Sequence, residues 1–155
     1  MAEKIVLPIS RELLIKGMDL SMKKVQVTYK LGAKLKLNTY PKAGSRCDCS
    51  GYVRWIIYLA SRGQVKMPDG SWYQQAWCRT KKLTKVPYSD CAKRDSILRI
   101  AFMAQEGDDV GHVWLVINGM TIECRGGVGA SRRDWNTSTL LHNVDYCYEM
   151  TDELP

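Results

Sequence analysis

The segment from Ser50 to Arg62 constrains the fold more than any other part of the sequence. It is followed directly by Gly63, and its apolar residues recur at nearly every helical turn: Val53, Ile56, Ile57, Leu59 and Ala60. This pattern predicts a largely buried helix that ends at the glycine. A buried helix needs other elements to cover it, and a chain of 155 residues is long enough to supply them within one domain. We therefore expect residues 1–155 to form a single domain around this helix.

Helical patterns precede this segment. Ser10 can cap a helix through RELLIKG, and a second helical stretch, LSMKKVQVTYKLG, is expected to begin at Asp19 or Ser21 and to end at Gly32. Residues 33–46 contain Pro41 and Gly44 and are expected to form a loop.

Strand patterns follow the buried helix. A turn is expected at 67–71 (MPDGS), and a mixed segment then extends to about residue 95. Strands are predicted at ILRIAFMA (97–104), at HVWLVI and MTIEC on either side of Asn118-Gly119, and at 144–150, with an acidic turn EGDD before the second of them. Asn-Gly between two β-prone runs is a strong hairpin signal. Helices followed by antiparallel strands predict an α+β fold.

Cys47 and Cys49 stand just before the buried helix, and three roles are open to them. A zinc site would need two CxxC-like pairs or cysteines with nearby histidines, but the only short pair is CxC and the two histidines lie at 112 and 142. We therefore expect no metal and no other cofactor. The six cysteines are widely spaced, which permits one or two disulfides, with Cys78–Cys91 and Cys124–Cys147 as the pairings considered.

The third role is that of a nucleophile. Cys49 falls in the first turn of the helix, where free N–H groups and the helix dipole stabilise a thiolate. In the predicted hairpin His112, Trp114 and Glu123 share one face, and Glu123 lies diagonally across from His112, within reach of its ring. The three residues can thus act as nucleophile, base and orienting carboxylate. The structural alternatives are a small buried Cys49, a hydrogen-bonded His112 at a strand edge, and a Glu123 that pairs with Arg125 or faces solvent.

Asp48-Cys49-Ser50-Gly51-Tyr52-Val53 resembles the DCSG[FY]V motif of the NlpC/P60 cysteine peptidases. The resemblance continues in order over roughly residues 20–130. Leu31-Gly32 stands where a helix of the family ends, MPDGS with Gln74 and Gln75 is similar to its "LP…S…Q" stretch, and Gly111-His112-Val113 with the following VING is similar to its "GHVGIYVGNG" strand and turn.

This resemblance implies a papain-like fold, in which a helix that bears the nucleophile packs on an antiparallel sheet that bears the base. It assigns Cys49 as the nucleophile and His112 as the base, and Glu123 stands where many members carry a second histidine. We expect five further residues to bind substrate. They are Asp48 and Ser50 of the motif, Trp114 on the catalytic face, Arg125 as an anion-attracting group, and Tyr40 as the nearest counterpart of the family's substrate-binding tyrosine.

The family cleaves bacterial cell-wall stem peptides, typically between γ-D-Glu and the diamino acid, so the resemblance implies a hydrolase that acts on peptidoglycan. The formal net charge of +7 suits an anionic cell wall, and no nucleic-acid-binding motif accompanies it. No apolar run approaches the roughly 18–20 residues that span a bilayer, and we see no export signal at the start.

We therefore expect a monomer that is made in the cytoplasm and acts in the periplasm or wall of a target bacterium. Compact amidase effectors of type VI secretion and phage lysis enzymes are similar in layout, and an effector would have a cognate immunity protein as partner. The rival classes are a cysteine acyltransferase or deamidase that acts on a protein or lipid, and a non-enzymatic basic binding module.

Overall fold

A six-stranded antiparallel sheet packed against one buried helix forms the centre of the computed structural model, which describes residues 3–104, 111–137 and 143–155. The helices are α1 (Arg11–Met18), α2 (Cys49–Ala60), α3 (Ser71–Thr80) and α4 (Tyr88–Cys91), with a π-helical turn at Asp19–Lys24 and a 3₁₀ turn at Trp135–Thr137. The strands are β1 (Thr28–Tyr29), β2 (Arg46–Cys47), β3 (Thr84–Lys85), β4 (Ile97–Met103), β5 (His112–Ile117), β6 (Met120–Arg125), β7 (Gly129–Ser131) and β8 (Tyr146–Glu153).

The large sheet has the strand order β3-β8-β4-β5-β6-β7, and β1 pairs with β2 in a separate parallel pair. The predicted α+β class is confirmed. The expected acidic turn EGDD and His142 lie outside the described residues.

Helix α2 fills the position predicted from its apolar pattern. Nine of its twelve residues are buried, and its C-terminal turn passes through Arg62 and Gly63, both with positive φ. It packs against β5 and β6. Helix α1 is also where the sequence predicts it, because the Ser10 hydroxyl accepts a hydrogen bond from the Leu13 N–H and caps its first turn.

The expected second helix, from residue 19 or 21 to Gly32, is wrong. The chain leaves helical geometry after Lys24, and Thr28–Tyr29 form β1 alongside Arg46–Cys47. Val25, Val27 and Thr28 are β-branched, so this stretch loses little by becoming extended and gains the pairing with β2. Leu31-Gly32 consequently lies in a turn, not at a helix end.

The β5–β6 hairpin has the predicted register: Leu115 lies opposite Ile122, Val116 opposite Thr121, and Ile117 opposite Met120. Asn118 and Gly119 both have positive φ, as a two-residue type I′ turn requires. The sheet therefore has two different faces at β5, since alternate residues point to opposite sides.

Each face has its own core. Val113, Leu115 and Ile117 join the larger cluster that contains α2, and Trp114 and Val116 join a smaller one with Trp135. The smaller cluster also holds a disulfide between Cys91 of α4 and Cys147 of β8. The expected pairings Cys78–Cys91 and Cys124–Cys147 are therefore wrong. Cys78 and Cys124 are buried free thiols of the larger cluster, whereas α4 and β8 bring Cys91 and Cys147 together on the other side of the sheet.

Within the described part of the chain, no helix combines the length and apolar character needed to cross a membrane.

Candidate active site

Helix α2 holds Cys49 in a fixed position at its first residue. Asp48 is the N-cap: its Oδ1 accepts a hydrogen bond from the Gly51 N–H at 2.8 Å, and its Oδ2 accepts from the Gly32 N–H at 3.2 Å and from Lys34 Nζ at 2.5 Å. Capping satisfies N–H groups that the helix cannot satisfy itself. The Cys49 side chain is only 6% exposed, and its Sγ lies 4.0 Å from the carbonyl oxygen of Gly111, the residue before β5.

Gly51 explains why the motif needs a glycine two residues after the cysteine. A Cβ at this position would lie within 3 Å of the Lys34 side chain, the Asp48 carboxylate and the Cys47 thiol. Any larger residue would push the capping carboxylate away from the helix.

The two polar motif residues beside Cys49 support the helix. Asp48 is 5% exposed and Ser50 4%, and the Ser50 hydroxyl lies between Lys34 Nζ and Asp48 Oδ1. Their polar atoms are used by the cap and by the ion pair with Lys34, and their expected role in substrate binding stays a prediction.

His112, the first residue of β5, is joined to Glu123 of β6. Its Nε2 lies 2.9 Å from Glu123 Oε1, so Nδ1 is the ring nitrogen left for Cys49. Burial alone would lower the pKa of His112, but its interactions with Cys49 and Glu123 outweigh burial and raise the pKa to about 9. The geometry thus favours an imidazolium bonded to the Glu123 carboxylate at neutral pH.

Glu123 is fully buried and has three side-chain partners. Besides His112, it accepts hydrogen bonds from the Thr121 hydroxyl at 2.5 Å and from Arg133, whose Nε lies 2.9 Å from Oε2 and whose terminal nitrogen lies 2.6 Å from Oε1. Burial would raise the pKa of Glu123, but these hydrogen bonds lower it to about 2. The carboxylate therefore stays ionised although it is removed from water.

The contact of Arg133 with Glu123 is one that the sequence did not reveal. Its main-chain N–H also donates to the Thr121 hydroxyl at 2.7 Å, which links the segment after β7 to β6. An Arg-Arg pair directly after β7 carries no signal of this role, because the contact depends on the path of the chain through β7.

Trp114 shares a face with His112, as the hairpin pattern predicts, but it lies behind the histidine. Its ring stacks on the imidazole with centroids 5.2 Å apart and has no exposed surface. A fully buried ring in this position can hold His112 in place, and the expected contact of Trp114 with substrate stays a prediction.

Tyr40 lies near the C-terminal half of α2, and its expected role in substrate binding stays a prediction. It borders a cavity with Trp55, Tyr58 and Arg62 from the C-terminal half of the helix, about 10 Å or more from Cys49 at 1.5 Å rise per residue. Tyr29 of β1 lies near the nucleophile instead. Burial, followed by the negative charges of Cys49 and Asp48, raises the pKa of the Tyr29 hydroxyl. The sequence did not indicate Tyr29, because the segment around it was expected to be helical.

Arg125, at the end of β6, lies two residues after Glu123 and pairs with Gly129 of β7. Among the described residues its buried Nε has no hydrogen-bond partner. Its expected role in substrate binding stays a prediction.

The remaining free thiols differ from Cys49 in their surroundings. Burial is the main cause that raises the pKa of Cys47 and of Cys78 to about 12, and it raises the pKa of Cys124 as well. These thiols are structural parts of the core. Within the described segments, no group of three or more His, Cys, Asp or Glu residues has the arrangement of a metal site.

Fold and site together define a papain-like α+β protein with a cysteine at a helix start and a histidine–glutamate pair on the sheet. One solved structure similar to the chain is a Staphylococcus aureus protein described as similar to lipoprotein, NLP/P60 family, with a TM-score of 0.61 and 16% identity. The match covers 98% of this chain and 46% of that one, so the chain spans about half the length of this neighbour. No protein-family model matches the chain, and no curated protein matches it either. At this identity the similarity establishes the fold, which is of the NlpC/P60 type.

Proposed function

We propose that the protein is a cysteine peptidase that hydrolyses the stem peptides of bacterial cell walls. The observation that carries this proposal is the side-chain arrangement at the start of β5. Cys49 at the start of α2 interacts with His112, and His112 is held by the buried carboxylate of Glu123. The NlpC/P60-type fold of the chain supports the choice of substrate.

Acylation begins when the Cys49 thiolate attacks the scissile carbonyl carbon. The first N–H groups of a helix have no partner within the helix, so the Cys49 N–H is placed to donate to the oxyanion that forms. The His112 imidazolium then gives its proton to the leaving amine, the C–N bond breaks, and a thioester remains on Cys49.

Deacylation uses the now neutral His112 as the base. It takes a proton from water as the water oxygen attacks the thioester, and the C–S bond then breaks. The product leaves as a carboxylic acid, which loses its proton to solvent, and the thiolate and imidazolium are restored. Glu123 keeps Nε2 protonated throughout, so Nδ1 is the nitrogen that exchanges protons. We assign Tyr29, which pairs with Cys47 two residues before the nucleophile, to substrate contact in the place expected of Tyr40.

The bond we assign is the one between γ-D-Glu and the diamino acid, and the biological role we assign is that of a delivered antibacterial effector or a phage lysis enzyme. Peptidoglycan stem peptides would then be the substrate, and an immunity protein that covers the cleft would be the partner of an effector. The basic charge of the chain supports binding to an anionic wall.

The test is digestion of purified sacculi, with soluble products identified by mass spectrometry. The wild type and a Cys78→Ala control, which removes a buried free thiol of α3, are expected to release fragments that end at γ-D-Glu. Cys49→Ala is expected to release none. Fragments that end at another residue would be consistent with the same mechanism but would show that a different bond of the stem peptide is cleaved.

If the wild type leaves sacculi intact while Cys49 still forms an acyl adduct with an activated ester, the hydrolase proposal fails. The same thiol–imidazole pair would then serve an acyltransferase or a deamidase.

A further inference from the structure

Helix α3 and the sheet enclose a cavity of about 440 Å³ that the proposed mechanism does not use. Its lining comes from three elements: Ser71, Trp72, Gln75 and Arg79 of α3, Phe102 and Met103 of β4 with the following Ala104, and Tyr146 of β8. The volume lies within the range of about 300–1,000 Å³ typical of small-molecule sites. Mostly apolar walls with a few polar groups are also typical of such sites.

The cavity lies beside the catalytic histidine. Met103 is the cross-strand partner of His112, which places the two Cα atoms about 5 Å apart. Helix α3 is fixed against the nucleophile helix on the other side, because Gln74 Nε2 donates to the Ser50 carbonyl oxygen at 2.9 Å. A molecule in the cavity would therefore lie close enough to Cys49 to be connected to the scissile bond by a short peptide.

Trp72 gives the cavity its chemical character. The indole is 76% exposed, although it belongs to the residue types that gain most from burial. Tyr146 adds a second, partly exposed ring, one face of which is covered by Lys85, with Nζ 5.1 Å from the ring centroid. Gln75 and Arg79 supply polar groups to the same wall, and Arg79 forms no salt bridge with a described residue.

We infer that this cavity binds a saccharide ring of the cell-wall glycan to which the stem peptide is attached, an inference that rests on the proposed function. A pyranose ring has a face of C–H groups that suits an aromatic side chain and an edge of hydroxyl and acetamide groups that suits Gln75 and Arg79. The stem peptide offers carboxylates, methyl groups and an amine, but no broad apolar face. The exposed indole therefore has its counterpart in the sugar.

The reach of the substrate agrees with this position. One alanine and a lactyl group separate the sugar from the glutamate at the proposed scissile bond. At about 3.5 Å per residue the sugar would lie about 10 Å from Cys49. The cavity begins at Met103, the cross-strand neighbour of His112, and extends along α3, a direction in which a sugar at this distance can lie.

Calorimetric titration of the catalytically inactive Cys49→Ala protein tests the inference independently of hydrolysis. The two ligands are a disaccharide–tripeptide and the same tripeptide without sugar. We expect the disaccharide–tripeptide to bind about tenfold more tightly than the free tripeptide, and Trp72→Ala to remove most of this advantage. Tyr73→Ala is the matched control, since Tyr73 is an exposed aromatic residue of the same helix, 66% exposed, that does not line the cavity.

Equal affinity for the two ligands, or an equal effect of the Trp72→Ala and Tyr73→Ala substitutions, would overturn the inference. The inference would also be overturned if neither ligand bound to the protein. Because Trp72 is largely exposed, its removal leaves the core intact, and an unchanged unfolding temperature verifies this. Intact sacculi after treatment with the wild type would count against the proposed function, whereas sugar binding through Trp72 would stand by itself.

Discussion

Glu123 balances two positive groups from a position without solvent contact. His112 and Arg133 both bond to its carboxylate, and Thr121 supplies a further hydrogen bond. Breaking a buried ion pair costs several kcal/mol, because the remaining charge is left without compensation. The positive charge of Arg133 therefore allows a buried carboxylate to orient His112. A carboxylate stabilises an imidazolium more strongly than a neutral side chain could.

The substitution Glu123→Gln tests this electrostatic role. An amide can still bond to His112 but carries no negative charge, so the pKa of His112 should fall from about 9 by about one unit or more. The imidazolium is needed to protonate the leaving amine, so activity should fall as the pH rises through the pKa of His112. Because this pKa is lower in Glu123→Gln, the variant should lose its activity at a lower pH than the wild type. The direct measurement is the NMR titration of the His112 ring, which is simple to assign in a chain with two histidines.

Glu149→Gln is the matched control for this titration. Glu149 of β8 is also a partly buried carboxylate in an ion pair, with Arg99 and Lys4, but it is not among the groups that interact with His112. Its substitution should lower stability and leave the His112 titration in place. Equal titration curves for the wild type and Glu123→Gln would refute the proposed effect of the carboxylate.

Strand β7 lies close to β1 because the residue at position 129 is a glycine. Gly129 has φ of +85°, and a Cβ there would collide with the carbonyl oxygen of Val27 and lie 3.0 Å from the Thr28 Cα. The Ala130 N–H donates to that same carbonyl at 2.9 Å. The close approach keeps β1, and with it Tyr29, next to the catalytic hairpin.

Gly129→Ala should therefore destabilise the protein by about 3–5 kcal/mol, since backbone must move in addition to the strain of a positive φ. Gly127→Ala is the control, because Gly127 has a similar φ of +78° with nothing within 4 Å of its Cβ position. That variant should lose only about 1–2 kcal/mol. Urea denaturation measures both values, and losses of the same size would show that the contact with Val27 is unimportant.

The elements that the sequence predicted correctly are those with strong local signals. The apolar pattern of α2 and the Asn118-Gly119 turn fix a helix and a hairpin register without reference to distant residues, and the hairpin register brings Glu123 to His112. Tyr29 and Arg133 reach the site through β1 and β7, two strands of only two and three residues. β1 pairs with β2 across an intervening loop, and β7 bonds to Val27, far away in sequence. Such pairings depend on tertiary contacts that a local pattern does not contain.

At the scale of the whole molecule, one disulfide encloses the catalytic half of the sheet. Cys91 and Cys147 are 56 residues apart in sequence, and β4 to β7, with His112 and Glu123, lie between them. The bridge belongs to the cluster in which Trp135 packs on Trp114, and Trp114 in turn stacks on His112. The smaller core thus connects the disulfide to the back of the catalytic histidine.

Reduction of this bridge should lower the free energy of unfolding by about 4 kcal/mol. The reason is that a bridge closing a loop of this length restricts the unfolded chain, and the unfolded chain regains that entropy when the bridge is broken. Urea denaturation with and without dithiothreitol measures the difference. The double variant Cys91→Ala/Cys147→Ala should have the lower stability under both conditions, which separates the bridge from any action of the reductant on the free thiols. If dithiothreitol destabilises the double variant as much as the wild type, the bridge is not the source of the effect.

This dependence would match the proposed route of the protein. Disulfides are rare in a reducing cytoplasm and persist in a periplasm, so a chain made in the first compartment would gain the bridge only in the second. The reduced chain should then hold His112 less firmly, because β8 would no longer be joined to α4 beneath the tryptophan pair. A His112 titration under reducing conditions should therefore shift towards the ordinary pKa of 6.5, whereas the oxidised protein should titrate near 9.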